Sequence, residues 1–217
     1  MHGFDPAQCL QSSGVLEETK RLNPGAQHSM AHAQLISPED QARIGKAGLG
    51  VVFTHAWTVV NPPYGFRVLP FFERIDGKDL YRDSYYMRRV YPAAAIARLR
   101  GVVASGSDAP VEERNPRPLH NLEQALTRAN PDPAIPGVLN AAERLDIHQT
   151  LASYTINAAH ILGMEKEIGS IETGKRADLI VVNQDVLALA AHGEERKIGD
   201  TRVLRTVFDG REVFSRE

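Results

Sequence analysis

Three side chains stand directly behind short apolar runs, and each is of a type that can hold a metal ion or move a proton. His32 lies within Ser29-Met30-Ala31-His32-Ala33-Gln34-Leu35-Ile36, His55 follows Val51-Val52-Phe53-Thr54, and Asp108 sits in Gly106-Ser107-Asp108-Ala109-Pro110, behind Val102-Val103-Ala104-Ser105. Imidazole nitrogens and a carboxylate suit zinc and similar divalent ions. The same groups serve as general acids and bases near neutral pH. Each also has a plainer reading. A histidine after an apolar run is commonly a packed core or loop residue, and for His55 the natural neighbour is Trp57. A Ser-Asp pair after a strand is commonly a helix cap. Cys9 is the single cysteine, so no disulfide forms within the chain and a cysteine-rich zinc site is excluded.

The elements that position these residues are legible from local signals. Residues 8–22 read as a helix ended by Asn23-Pro24-Gly25. Residues 29–36 read as a buried strand. Ser37-Pro38-Glu39-Asp40 combines a serine cap, a proline at the first helical position and an acidic residue three after the serine, which starts a helix that Gly48 or Gly50 ends. Residues 51–54 and 102–105 read as two further strands. Residues 56–85 form a long loop with Trp57, Tyr64, Phe66, Phe71, Phe72, Tyr81 and Tyr85, suited to an apolar lid or pocket wall or to plain packing. Residues 78–100 hold helical stretches broken at Pro92, and 118–129 and 147–162 read as helices, the second with an apolar stripe. Strand and helix alternate, which predicts parallel pairing with right-handed crossovers, an α/β layout. Beyond residue 165 the texture changes to strands at 177–182, 203–208 and 212–215, the last two flanking the hairpin signal Asp209-Gly210.

Composition narrows the function classes. Of 217 residues, 42% are hydrophobic and 24% charged, enough for a buried core. A net charge of −2 with no obviously basic face argues against a nucleic-acid partner. No run of 18 apolar residues offers a membrane span, and the opening MHGFDPAQ lacks the regions of a signal peptide. A reducing, cytoplasmic setting and a small-molecule substrate are the expectations.

Four stretches, taken together and in order, resemble the amidohydrolase superfamily, in its YtcJ-like branch, amidohydrolase family 3. They are Ala31-His32-Ala33-Gln34-Leu35-Ile36 with Pro38-Glu39-Asp40 and Arg43; Gly106-Ser107-Asp108-Ala109-Pro110-Val111 with Asn115-Pro116 and Thr127-Arg128; Tyr154-Thr155-Ile156-Asn157-Ala158-Ala159 followed by Gly169-Ser170-Ile171-Glu172-Thr173-Gly174-Lys175-Arg176-Ala177-Asp178; and Val207-Phe208-Asp209-Gly210-Arg211. The resemblance implies the C-terminal half of a TIM-type (β/α)8 metallo-hydrolase barrel over residues 1–165, with part of a small β-sandwich over 166–217. It implies a divalent metal cofactor, zinc by the donor chemistry. By position, His32 matches the family's sixth-strand ligand and Asp108 its eighth-strand aspartate. His2, in His2-Gly3-Phe4-Asp5, is the candidate for the fifth-strand histidine. Asp108 becomes the catalytic base and acid, and His55, Trp57 and Arg128 become candidate substrate contacts.

The chemistry that follows is hydrolysis of an amide-type C–N bond. A bound metal lowers the pKa of water; the aspartate takes the proton and returns it to the leaving nitrogen. The sequence departs from the pattern in one respect. A complete barrel takes about 250 residues, and neither a His-x-His strand nor the family's lysine strand is present. The lone chain is therefore expected to be inactive or nearly so and prone to self-association. The alternative is a silent fragment, or a subunit that completes its barrel with another chain.

Overall fold

The computed structural model describes residues 6–68, 79, 83–109 and 115–216. Helix α1 (Pro6–Leu22) is followed by β1 (Ser29–Ala31), α2 (Pro38–Ala47) and β2 (Gly50–Phe53). A 3-10 turn at His55–Trp57 leads into α3 (Pro62–Val68). Then come α4 (Ala93–Arg98), β3 (Val102–Ser105), α5 (Pro118–Thr127), α6 (Ile147–Tyr154) and α7 (Ile156–Ile161). The tail supplies β4 (Leu179–Val182), α8 (Val186–Ala191), β5 (Val203–Phe208) and β6 (Arg211–Ser215).

The strands make two sheets of opposite character. β1, β2 and β3 lie side by side in chain order and pair in parallel. Their register sets Ala31 against Val52 and Phe53 against Ser105, so the three C-terminal ends fall on one edge. Parallel strands need a crossover, and α2 supplies the first. Ser37 starts α2 as its sequence predicts: the hydroxyl accepts from the Asp40 N–H at 3.1 Å, and Gly48 closes the helix at φ 60°. In β2 the side chains of Val51 and Phe53 are fully buried with Ile44 of α2 and Ile96 of α4. Gly45 is what lets α2 approach the end of α4, since a Cβ there would lie 2.1 Å from the Leu99 carbonyl oxygen.

β4, β5 and β6 form an antiparallel sheet. Asp209 and Gly210 both adopt positive φ, 49° and 76°, the conformation a two-residue primed hairpin turn requires. This sheet leaves Ile180, Val213 and Phe214 exposed. The segment between β4 and β5 packs back on α5, where Ile198 is fully buried beside Leu122 and Leu126. The Gly199 N–H donates to the Glu123 carboxylate at 2.9 Å. The chain is thus a mixed α/β protein, and none of its described helices is long and apolar enough to cross a membrane.

Three expectations need correction. The strand at 29–36 stops at Ala31, because His32 turns to φ 65°; beyond it only Leu35 pairs, in an isolated antiparallel bridge with Val90. The helix at 147–162 is two helices, broken at Thr155, whose φ −120° and ψ −100° lie outside helical space. The aromatic segment contains ordered structure, the 3-10 turn and α3. Phe71, Phe72 and Tyr81 lie outside the described residues.

Candidate active site

His32, His55 and Asp108 all emerge where the parallel strands end. The His32 N–H still donates to Val52 at 3.0 Å, and the Gly106 N–H to Phe53 at 3.0 Å, so the ladder reaches the last residue before each turn. There the backbone bends sharply. His32 and Asp108 sit in the left-handed region, at φ 65° and 53°. Histidine and aspartate tolerate that region better than most residues, and the strain concentrates where loops present functional groups. The Ser107 hydroxyl steadies the second turn by accepting from the Ala109 N–H at 3.3 Å.

These bends bring two groups together across β2. His32 Nε2 lies 3.8 Å from Asp108 Oδ1, with side chains 14% and 25% exposed. Two ligands of one tetrahedral ion, bonded at about 2.0–2.2 Å, stand about 3.3–3.6 Å apart. The pair therefore has the donor chemistry and nearly the spacing of two ligands of a single divalent ion, and remains open enough to receive one. Among the described residues no third histidine, cysteine, aspartate or glutamate completes a cluster. His2 lies outside the described residues.

Trp57 stacks on the His32 ring, centroids 5.1 Å apart and planes within 22°. The tryptophan expected to face substrate thus packs face-on against the candidate ligand and limits its rotation. The loop after β1 is anchored as well. Gln34, 1% exposed, donates to the Tyr64 hydroxyl at 2.6 Å and accepts from the Tyr86 hydroxyl at 3.0 Å. That tethers α3 and the segment before α4 to the strand end carrying His32.

His55 is 1% exposed, its ring tilted against Phe53 at 6.3 Å, and among the described residues neither ring nitrogen has a hydrogen-bond partner. Burial, reinforced by the nearby Arg128 cation, pushes its pKa down to about 3. It is a neutral imidazole in the fold and titrates near 6.5 when unfolded. The unfolded chain then binds the extra proton, so stability from this group is complete above about pH 6.5 and erodes as pH falls toward 3. Between pH 7.5 and 5.5 the loss amounts to about 1.4 kcal/mol. Urea unfolding of wild type and His55→Leu at both pH values measures it, and an unchanged pH slope in the variant would refute the assignment.

Arg128, expected as a substrate contact, lies in the interior and bonds to backbone. It is fully buried, Nε donates to Leu139 O at 2.9 Å, and Nη1 and Nη2 donate to Tyr91 O and Val90 O, each at 3.2 Å. A guanidinium committed to three carbonyls in the interior holds backbone together.

Two amides escaped notice as positioning residues. Asn121 of α5 accepts from the Ala56 N–H at 2.8 Å and so holds the turn bearing His55 and Trp57. Asn157 donates to Val103 O at 2.9 Å, gripping the strand that ends in Asp108. Asn157 lies in the motif Tyr154–Ala159, which assigned it no role; nothing local marks Asn121.

The chain is similar in sequence and fold to known proteins. A model of the Amidohydrolase family matches residues 11–214. A 5-methylthioadenosine/S-adenosylhomocysteine deaminase of Symbiobacterium thermophilum is 45% identical over 76 residues, 31% of this chain and 16% of that protein. An N-substituted formamide deformylase of Arthrobacter pascens is 44% identical over 72 residues, 33% of this chain and 12% of that protein. The solved structure of an adenosine deaminase from Xanthomonas campestris with bound zinc superposes with a TM-score of 0.58 at 21% identity, covering 99% of this chain and 44% of that one. At that identity the likeness speaks for the fold alone. The chain spans less than half of that structure, and its aligned stretches are a small part of the two curated relatives. Because the family model takes in nearly all of the sequence, this chain belongs to the amidohydrolase family.

Proposed function

We propose that this chain carries the aspartate half of a metal-dependent active site that hydrolyses a C–N bond in a small molecule. The observation that carries the proposal is the meeting of His32 and Asp108 at the C-terminal edge of the parallel sheet, 3.8 Å apart. Positive φ at both residues and the Trp57 stack on His32 add to it. The named relatives, a deaminase and a deformylase, make a C–N bond the reasonable target.

His32 Nε2 and Asp108 Oδ1 would hold the ion, with His2 as a further proposed ligand. A divalent ion bound there, zinc by the donor chemistry, would supply Lewis acidity and make water a nucleophile near neutral pH. The Asp108 carboxylate takes one proton from the attacking water as oxygen bonds to the substrate carbon. It returns that proton to the nitrogen as the C–N bond breaks, ending in its starting state. Trp57 keeps His32 aligned, and Asn157 keeps β3 and therefore Asp108 in register.

A second reading draws on the donor count. The described residues bring two ligands together, so the cluster is completed by groups beyond them, His2 or a second polypeptide. On that reading the lone chain binds metal weakly and turns over little or nothing.

Metal analysis and zinc titration of the purified chain test both readings, alongside assays with 5-methylthioadenosine and an N-substituted formamide. About one zinc per chain is expected, with affinity weakened at least tenfold in His32→Ala and in Asp108→Ala, since loss of even a supporting partner costs about 10- to 100-fold. No zinc in wild type, or equal binding by the variants, overturns the proposed site.

A further inference from the structure

A cleft of about 500 Å³ opens between the loop after β1, the start of α2 and the residues leading into α4. Among the described residues its walls carry Arg88, Arg89 and Arg98, and one carboxylate, Glu143. That carboxylate is already engaged. Oε2 accepts from the Ala95 N–H at 2.8 Å, and Oε1 lies 3.7 Å from Arg98 Nη2. Arg88 is anchored by its inner nitrogen, Nε donating to Ser84 O at 3.1 Å. Arg89 lies over the Tyr85 ring, Cζ 4.5 Å from the centroid. Among the described residues neither Arg88 nor Arg89 makes an ion pair. A guanidinium held by Nε or over a ring leaves outer N–H groups available to a ligand and has less side-chain freedom to lose on binding.

Among the described residues, the charges lining this space are three guanidinium cations and one carboxylate, a balance of +2. We propose that the cleft binds the phosphate group of a small phosphate monoester. Such a group carries about −1.5 to −2 charges at pH 7 and three acceptor oxygens. A balance of +2 on separate arginines matches that better than a carboxylate, which brings one charge and two oxygens. The neighbouring Ser37 is already committed, since its hydroxyl caps α2 and donates to Asp40 Oδ2 at 3.0 Å. The bridge between Leu35 and Val90 joins the walls of the cleft to the loop that begins at His32.

Calorimetric titration with inorganic phosphate tests this at constant ionic strength, on full-length protein first treated with a chelator so that no metal can recruit the anion. Saturable binding of one phosphate per chain is expected, with acetate at least tenfold weaker. Arg88→Gln and Arg89→Gln should each weaken phosphate by about tenfold, the size of one lost charge-assisted contact. Arg211→Gln on β6 removes the same charge elsewhere and should change nothing. Circular dichroism confirms that the variants are folded. Absence of saturable binding, acetate binding as tightly as phosphate, or equal effects of Arg211→Gln and Arg88→Gln would each overturn the proposal. Phosphate binding by the chelated protein says nothing for or against zinc at His32 and Asp108, so the two proposals fail separately.

Discussion

Replacing Asp108 by asparagine is expected to lower whatever C–N hydrolysis the protein supports by about 10²- to 10⁴-fold, the usual worth of a positioned proton-transfer group. Asparagine keeps the size of the side chain and also tolerates φ near 53°, so the turn after β3 should survive. What it lacks is a basic oxygen to take the water's proton. The loss should therefore appear in kcat at saturating zinc, with the melting temperature little changed. Alanine is the poorer probe, since it removes a ligand and places a residue unsuited to positive φ in the same turn. A Asp108→Asn protein with wild-type turnover would remove the carboxylate from the proposed mechanism.

The largest effect on stability is expected at Arg128. Changing it to methionine removes all three guanidinium bonds; Val90 O keeps the Asn140 Nδ2 donor at 2.9 Å and Tyr91 O keeps the Ala93 N–H at 2.8 Å, while Leu139 O loses the donor that holds it in the interior. Burial holds its pKa down to about 10, still far above neutral, so the group is a cation in the fold. Losing three hydrogen bonds from a buried guanidinium and leaving the Leu139 carbonyl unsatisfied costs about 3–5 kcal/mol. That is a large part of the roughly 5–15 kcal/mol by which domains are stable. Lysine should not rescue it, because a single ammonium nitrogen cannot reproduce three donors spread along a planar fork. Urea denaturation of Arg128→Met and Arg128→Lys gives the answer; a loss below about 1 kcal/mol in Arg128→Met would contradict the scaffold role.

Arg128 also shows what local sequence leaves undecided. In sequence it is a basic residue behind a helix that ends at Thr127, within a stretch that resembles a family motif. A substrate contact was a fair expectation. Its partners, at 90–91 and 139, are distant in sequence and are backbone atoms, which carry no residue signature. Asn121 escaped for the same reason, its partner being the Ala56 amide. The break at Thr155 escaped because apolar periodicity continues across it, while the geometry that frees Asn157 to bond Val103 depends on β3 lying alongside.

The sequence by itself determined what depends on neighbours a few residues apart. The Ser37 cap of α2, the Asp209-Gly210 turn and the order of parallel strands followed by an antiparallel tail could all be read directly, because capping and turn chemistry act within one turn of chain. The resemblance carried by the motifs named His32 and Asp108 as a pair. Only the tertiary structure decided that they lie 3.8 Å apart, that Trp57 covers one of them, and that Arg128 is buried away from solvent. Those facts are set by the register of β1, β2 and β3 and by packing between distant segments, and no local stretch of sequence fixes either.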